Sequence, residues 1–238
     1  MLRSLFEVAA SLVFPVECET CSVTLSPLPP VGVCARCEAE IKWVNAPHCV
    51  SCGRTLRNET SKCAECLDEK FYFDRAFACA LYEGKMKELL HAYKFGRRKY
   101  LGNFFIKAME KFMNAHVKPG TFDAVVAVPM DKIKRNERGF NQSALLSARL
   151  AKKLNVPHYS KKLRRAYSST PQSLLTKTDR KLNVRGRFSV ASNVLLHGKR
   201  ILLVDDILTT GQTASECARV LKEAGASTVT VLACARGA

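Results

Sequence analysis

Long hydrophobic runs are missing from this chain of 238 residues. No stretch approaches the roughly 20 consecutive apolar residues that a membrane-spanning helix needs. Residues 1–15 are apolar, but they contain Glu7 and lack a small-residue cleavage site after a long apolar core, so they do not fit a signal peptide. Their helical spacing instead predicts a short docking helix that ends at Pro15. We therefore expect a cytoplasmic protein without a transmembrane segment.

Acidic residues are also scarce, with 21 Asp and Glu against 38 Lys and Arg, for a formal net charge of +17. Residues 1–70 carry a net charge of −2 and residues 71–238 a net charge of +19. The surplus is densest over residues 132–187, at +14. It favours a polyanion such as single-stranded DNA, although a solubilising basic face would have the same composition. The candidate nucleic-acid contacts are Lys132, Lys134, Arg135, Lys161, Lys162, Arg164 and Arg165.

Cysteine, in contrast, is abundant, and eight of the 11 cysteines form four C-x-x-C pairs. Each pair can offer two thiolates to one metal ion, and two pairs complete a tetrahedral site. Structural zinc is favoured over disulfides in a chain without secretion signals, and an iron–sulfur cluster is the main competitor. Sequential and cross-braced pairings both satisfy the count. The predicted ligands are Cys18, Cys21, Cys34, Cys37, Cys49, Cys52, Cys63 and Cys66. The other cysteines, predicted to lie in the core, are Cys79, Cys217 and Cys234.

The segment with the clearest chemical meaning follows an apolar run at residues 201–204, which predicts a buried strand. Asp205 and Asp206 come next, and a hydroxyl-rich turn then leads into a helix. A helix N-terminus attracts phosphate, and adjacent carboxylates can accept hydrogen bonds from vicinal sugar hydroxyls. The layout predicts a ribose 5-phosphate site, and it is not a nucleotide P-loop because no Gly-Lys-Ser/Thr follows. The turn residues are Thr209, Thr210, Gly211, Gln212 and Thr213.

Strands and helices alternate around this segment. Capping-box spacing between Thr213 and Glu216 predicts the start of the helix, and Gly225 predicts its end. Residues 131–142 are predicted to form a polar loop. The alternation indicates an α/β fold with a mostly parallel sheet, whose site lies at the carboxyl ends of the strands. The remaining predicted strands are 77–82, 122–128 and 228–234, and the remaining predicted helices are 85–93 and 143–154.

Taken together, the motifs resemble those of the ComF family of bacterial competence proteins. They are, in order, the four C-x-x-C pairs, K-F-G at 94–96, V-P at 128–129, R-G-F-N-Q at 138–142, S-T-P-Q at 169–172 and the turn at 209–213. The turn resembles the phosphoribosyl pyrophosphate (PRPP) loop of type I phosphoribosyltransferases. The resemblance implies an N-terminal helix and double zinc ribbon at residues 1–70. It also implies a Rossmann-like phosphoribosyltransferase domain at residues 71–238.

The resemblance also implies roles for individual residues. Asp205 and Asp206 would hold the ribose hydroxyls as the catalytic acids, and the turn at 209–213 would hold the 5-phosphate. Val128 and Pro129 would form the pyrophosphate loop, with magnesium accompanying PRPP. Arg138 would contact a phosphate or, alternatively, brace the turn at Gly139. Residues 168–188 would form a hood over PRPP, the alternative being a surface hairpin.

The resemblance implies a role in natural transformation, in which the protein handles incoming single-stranded DNA. A working phosphoribosyltransferase with an unidentified acceptor is the alternative, because the sequence shows no base-recognition signature. A third hypothesis is a scaffold whose ribbon docks a helicase or translocation partner at the inner membrane.

Overall fold

A four-stranded parallel sheet forms the centre of the computed structural model. The structure describes residues 17–25, 32–44, 47–56, 58, 60–96, 98–159, 162–165, 186–191 and 196–237. The central strands, in spatial order, are β1 (Arg75–Leu81), β6 (Thr228–Arg236), β5 (Arg200–Leu208) and β2 (Ala124–Ala127). A separate antiparallel pair consists of β3 (Leu163–Arg165) and β4 (Phe188–Val190). The predicted α/β fold with a parallel sheet is confirmed.

Helices cover both faces of the sheet. Three of them, α3 (Gly84–Phe95), α4 (Gly102–His116) and α6 (Gln142–Leu154), pack on the face to which Leu202 and Val204 of β5 point. The opposite face carries Ile201 and Leu203 and is covered by α7 (Gln212–Glu223). This alternation follows from the two-residue period of a strand, and it explains why β5 is apolar at every position from 201 to 204. Cys79, Cys217 and Cys234 are buried, as predicted.

The eight paired cysteines form two tetrads in sequential order. One contains Cys18, Cys21, Cys34 and Cys37, and the other contains Cys49, Cys52, Cys63 and Cys66. Within each tetrad the four Sγ atoms lie within 4.8 Å of one another. The short helices α1 (Ala35–Ala39) and α2 (Glu65–Asp68) each contain one of the ligands. The structure therefore selects sequential pairing over cross-braced pairing.

Among the described residues, the first ribbon comprises 17–25 and 32–44 and the second ribbon 47–56, 58 and 60–68. The first ribbon extends the central sheet at the free edge of β1. Val44 donates its N–H to the carbonyl of Cys79 (2.9 Å), and Leu81 donates to the carbonyl of Lys42 (2.9 Å). Trp43 forms an antiparallel bridge with Ala80. An uncovered edge strand would offer a template for aggregation, so this pairing protects the sheet. Buried ribbon side chains also belong to the same apolar cluster as α3 and α4.

Two predicted boundaries around the PRPP-like turn were wrong. β5 continues to Leu208, so Asp205 and Asp206 lie inside the strand rather than beyond its end. The helix begins at Gln212, with Gly211 as its N-cap residue at φ 80°, and no capping box forms. Glycine adopts this left-handed conformation without steric cost, so the chain turns at Gly211 before Thr213 can act as a cap.

The predicted loop at 131–142 was also partly wrong, because it contains the helix α5 (Lys132–Arg138). The Asp131 carboxylate caps this helix by accepting the N–H of Ile133 (2.9 Å), and Gly139 ends it in a left-handed conformation. A second cap, the Asn141 side chain, accepts the N–H of Ala144 and starts α6. The polar composition of this stretch reflects an exposed helix between two caps, since none of the residues of α5 is buried.

We predict that Val44→Pro destabilises the protein by about 3 kcal/mol, because proline has no N–H to donate to the Cys79 carbonyl. Val44→Ala removes buried side-chain atoms but keeps this hydrogen bond, so it separates the two contributions. Thermal unfolding measures both variants. Equal unfolding temperatures for the two variants would show that the ribbon does not stabilise the edge of β1 through its backbone.

Candidate phosphoribosyl site

The two adjacent carboxylates of β5 lie among polar groups from two helices. Ser143 at the start of α6 donates its hydroxyl to Asp205 Oδ1 (3.0 Å), which also accepts the N–H of Asp206 (2.9 Å). Lys94 Nζ lies 3.1 Å from Asp206 Oδ1. The Lys94 and Asp206 side chains are only 14% and 11% exposed, so this ion pair is largely withdrawn from water. The acid pair is thus held by both its own strand and the surrounding helices.

Lys94 is a site residue that the sequence analysis missed. The K-F-G motif was noted, but α3 was predicted to end at residue 93, which left this lysine without an assigned position. The helix instead runs to Phe95, and this last turn directs the ammonium group to Asp206. A signal was present in the sequence, because Lys94 is the basic residue of the K-F-G motif at the end of this helix.

Burial makes Asp205 a weaker acid than an ordinary aspartate. Desolvation and the negative charge of Asp206 raise the pKa of Asp205 from 3.8 to about 7. Lys94 and the Ser143 hydroxyl act in the opposite direction but do not cancel these effects. Near neutral pH the acid pair therefore carries less negative charge than two ordinary carboxylates. A ligand that donates two hydroxyl groups would relieve the repulsion between them.

The turn at 209–213 follows the acid pair after two further strand residues, Ile207 and Leu208. Thr209 and Thr210 are exposed, and the N–H of Gln212 approaches Thr210 Oγ1 at 3.4 Å. Because α7 begins at Gln212, its first N–H groups have no intrahelical partner and point toward the turn. The turn therefore combines hydroxyls with the positive end of a twelve-residue helix, which is the arrangement that attracts a phosphate.

The predicted pyrophosphate loop leaves β2 at the same edge of the sheet. Val128 donates its N–H to the carbonyl of Val204 (2.9 Å), and its own carbonyl accepts the Asn141 side-chain amide (3.2 Å). Arg138 stacks over the ring of Phe95 at 4.7 Å and approaches Gln142 Oε1 at 3.5 Å. Its Nε atom is buried without a hydrogen-bond partner. The unpaired nitrogen favours an anionic ligand, and both roles of Arg138 stay predictions.

The predicted nucleic-acid contacts fall into two neighbouring groups. Lys132, Lys134 and Arg135 are exposed on α5, whereas Lys162, Arg164 and Arg165 lie at β3. Arg165 Nε is 4.0 Å from the Asp131 carboxylate, and this contact connects β3 to the start of α5. Arg165 points inward and stacks at 5.6 Å on the ring of Phe188 in β4. The position of Lys161 lies outside the described residues.

Most of the predicted hood, residues 168–188, also lies outside the described residues. Its end is described from Gly186, whose N–H donates to Glu216 Oε1 at 2.7 Å. Arg219 in turn forms a two-pronged ion pair with the same carboxylate. Glu216, predicted to complete a capping box, thus connects α7 to the end of the predicted hood, just before β4.

Each cysteine tetrad has the donor set of a tetrahedral metal site. The N–H of Cys34 donates to Cys18 Sγ (3.3 Å), and the N–H of Cys37 donates to Cys34 Sγ (3.4 Å). Such bonds stabilise thiolates, and four convergent thiolates suit zinc. Among the described residues, the two tetrads are the clusters of three or more metal-ligating side chains. No helix within the described ranges is long and apolar enough to cross a membrane.

Comparison with known proteins agrees with this arrangement. The double zinc ribbon domain family matches residues 9–67, and the phosphoribosyl transferase domain family matches residues 103–238. Competence protein F of Haemophilus influenzae is 28% identical, over 86% of this chain and 90% of the relative. The DNA utilization protein YhgH of Escherichia coli K12 is 29% identical, over 92% and 96%. Competence protein ComFC of Bacillus subtilis is 30% identical, over 83% and 80%.

The fold, the two cysteine tetrads and the two matching family models define the class of this protein. It is a double zinc ribbon joined to a phosphoribosyltransferase domain. Within that class, the similarity to the two competence proteins extends over most of the chain. The chain belongs to the ComF family, as its motifs predicted.

We predict that Asp205→Asn raises the unfolding temperature at pH 8. Each kcal/mol gained in the free energy of unfolding corresponds to roughly 2–4 °C. The folded-state pKa of about 7 lies above the ordinary value of 3.8, so the folded state binds the extra proton and loses stability as pH rises through this window. Asparagine carries no charge, so the variant does not lose stability as the pH rises through this window. The difference in unfolding temperature should shrink toward pH 4, where Asp205 itself is protonated. A difference that does not change with pH would contradict the raised pKa.

Proposed function

We propose that this protein binds PRPP together with magnesium at the acid pair and the turn at 209–213. The observation that carries the proposal is the position of Asp205 and Asp206 near the carboxyl end of β5, two residues before an exposed hydroxyl-rich turn and a helix N-terminus. Two acceptors for vicinal hydroxyls followed by a phosphate-binding turn match the two ends of a ribose 5-phosphate.

The chemistry of phosphoribosyl transfer supports the same assignment. Displacement of pyrophosphate from the ribose C1 atom builds positive charge on the sugar and negative charge on the leaving group. Asp205 and Asp206 would hold the ribose hydroxyls and stabilise the positive charge. Lys94, which is paired with Asp206, would exchange this contact for phosphate oxygens when PRPP binds, and Arg138 would supply a second cation. No protein nucleophile is needed, because the acceptor attacks C1 directly.

Magnesium would be bound as part of the ligand. The acid pair is not joined by a third metal-ligating side chain among the described residues, and Lys94 already occupies one side of it. Magnesium prefers oxygen ligands and is commonly bound through phosphates with one or two carboxylates. When bound, it would neutralise charge on the pyrophosphate as the bond to C1 breaks.

Calorimetric titration with PRPP in the presence of magnesium measures the affinity and tests this proposal. We expect the double variant Asp205→Asn/Asp206→Asn to lose affinity by at least about tenfold, since each hydrogen bond to a charged acceptor contributes roughly 1.5–3 kcal/mol. Lys94→Met is expected to weaken binding as well. Lys107→Met, on the exposed surface of α4, is the matched control. Absence of PRPP binding by the unaltered protein would contradict the proposal.

We further propose that the protein is a cytoplasmic bacterial component of DNA uptake that handles single-stranded DNA. The named relatives are competence and DNA utilization proteins, and the net charge of +19 over residues 71–238 supplies the attraction to a polyanion. The exposed cations of α5 lie on the segment that follows β2, next to the proposed pyrophosphate loop. A helicase or translocation partner at the inner membrane would fit such a role.

Salt dependence tests the DNA contacts. Replacing Lys132, Lys134 and Arg135 with alanine should make the slope of log affinity against log salt shallower by about 2. Each phosphate contact on a single strand contributes roughly 0.7 to this slope, and three contacts would be lost. A matched triple variant at Lys107, Lys111 and Lys118, which are exposed on and just after α4, should leave the slope nearly unchanged. Fluorescence anisotropy with a labelled oligonucleotide measures both. Equal effects of the two triple variants would refute a contact through α5.

Catalytic turnover is the second candidate function, and the combination of the acid pair, the turn and Lys94 favours it. Release of pyrophosphate in the presence of an identified acceptor, lost in Asp205→Asn/Asp206→Asn, would establish a transferase. PRPP binding without any reacting acceptor would instead indicate a ligand sensor. Mutual exclusion of PRPP and single-stranded DNA would place both polyanions in one groove.

A further inference from the structure

The segment that leaves the second cysteine tetrad runs directly against the PRPP-like turn. We call residues 69–74 the connector. It follows α2, which contains the tetrad ligand Cys66, and it leads into β1. The connector is therefore the covalent link between the second metal site and the central sheet, and its contacts decide whether the two act independently.

Polar contacts connect the start of the connector to α7. Gln212, the first residue of that helix, donates its side-chain amide to Glu69 Oε1 at 2.6 Å. One turn later, Ser215 Oγ accepts the backbone N–H of Tyr72 at 3.0 Å. Glu69 itself caps α2, where its N–H donates to the carbonyl of Glu65. A single residue thus contacts both the helix that contains Cys66 and the helix that begins at the turn.

Apolar packing connects the same elements. Phe71 packs against the buried cysteines of the second tetrad and stacks on Phe73, with ring centroids 4.7 Å apart. The Phe71 ring also covers Gly211, since a Cβ atom at this glycine would lie 3.1 Å from Phe71 Cε1. Gly211 has φ 80°, and its left-handed conformation sets the shape of the turn. One aromatic side chain therefore touches both the metal-binding cluster and the turn.

The end of the connector is fixed as well. The Asp74 carboxylate accepts the Lys222 ammonium (2.7 Å) near the end of α7 and the N–H of Val229 (2.7 Å) in β6. The connector is thus attached to α7 near both of its ends. Movement of the second ribbon would be transmitted to the first turn of that helix, because Asp74 attaches the far end of the connector to α7 and β6.

We propose that Glu69 and Phe71 are positioning residues through which the second cysteine tetrad holds the turn at 209–213 in its phosphate-binding shape. The proposal rests on the proposed PRPP site for its functional consequence. Its structural content, that the second ribbon orders this turn, stands on the contacts alone. A second consequence follows from linkage, since a ligand that fixes the turn must also stabilise metal in the second tetrad.

Four variants, at Glu69, Phe71 and Asp68, separate this role from general stability. Glu69→Ala removes the acceptor for Gln212, Glu69→Gln keeps an acceptor oxygen at the same place, and Asp68→Ala changes an exposed neighbour. Amide hydrogen exchange of the ligand-free protein should rise in the peptide covering 209–216 for Glu69→Ala and Phe71→Leu. It should stay close to that of the unaltered protein for Glu69→Gln and Asp68→Ala. Zinc content, measured on the same samples, should remain at two ions per chain.

The functional consequence is measured with PRPP and a chromogenic zinc chelator. Glu69→Ala should weaken PRPP binding by about tenfold, the loss expected for a hydrogen bond to a charged group. PRPP should slow the release of one of the two zinc ions, and Phe71→Leu should abolish this protection.

Unchanged exchange of 209–216 in Glu69→Ala and Phe71→Leu, with zinc retained, would overturn the inference. Loss of PRPP binding in Asp68→Ala equal to that in Glu69→Ala would also overturn it. Failure of the unaltered protein to bind PRPP would instead refute the proposed function, while the exchange experiment would still decide whether the second ribbon orders the turn.

Discussion

The continuous pairing of β5 with β6 is the constraint on which the site depends. The register runs from Arg200 opposite Thr228 to Leu208 opposite Arg236, so the strand does not end at the first carboxylate. Asp205 and Asp206 are therefore fixed by backbone hydrogen bonds on a central strand, and the turn that follows begins at a defined point on the edge of the sheet. A site built on a strand is positioned more accurately than one carried by a free loop.

The ion pair between Lys94 and Asp206 is best understood as a functional feature. Burying two charges costs desolvation energy that their attraction often only balances, so a pair of this kind is weak evidence for stability. The raised pKa of Asp205 shows the same unfavourable charge density. A carboxylate with a raised pKa beside a buried cation is typical of ligand sites, and Asp205 lies toward the carboxyl end of its strand in a parallel sheet.

Two needs explain the ribbons: the edge of β1 has to be covered, and the small ribbon cores have to be cross-linked by metal. Each ribbon has little apolar interior of its own, and a metal tetrad supplies the missing cross-links. The first ribbon adds a strand-like segment to β1, and the second packs Phe71 against the turn. The protein is therefore better described as one sheet supported by two metal-binding modules than as a catalytic domain with a detachable appendage.

Much of this arrangement was predictable from short-range patterns. The apolar runs, the C-x-x-C spacing and the acid pair with its turn each depend on residues close in sequence, and the fold and family they predicted are confirmed. What the sequence did not predict depends on long-range contacts. Lys94 contacts Asp206 and Glu69 contacts Gln212, and in each pair the two residues are more than 100 positions apart in the sequence. No local periodicity predicts such contacts. The start of α7 was misplaced because the conformation of Gly211 overrode a favourable capping pattern.

The central claim is that the acid pair and the turn together form one phosphoribosyl site, and a crystal structure with PRPP and magnesium tests it most directly. We expect the 5-phosphate at residues 209–213, with the ribose hydroxyls donating to Asp205 and Asp206. A structure in which PRPP lies elsewhere, with the ion pair between Lys94 and Asp206 closed and the turn without phosphate, would contradict it.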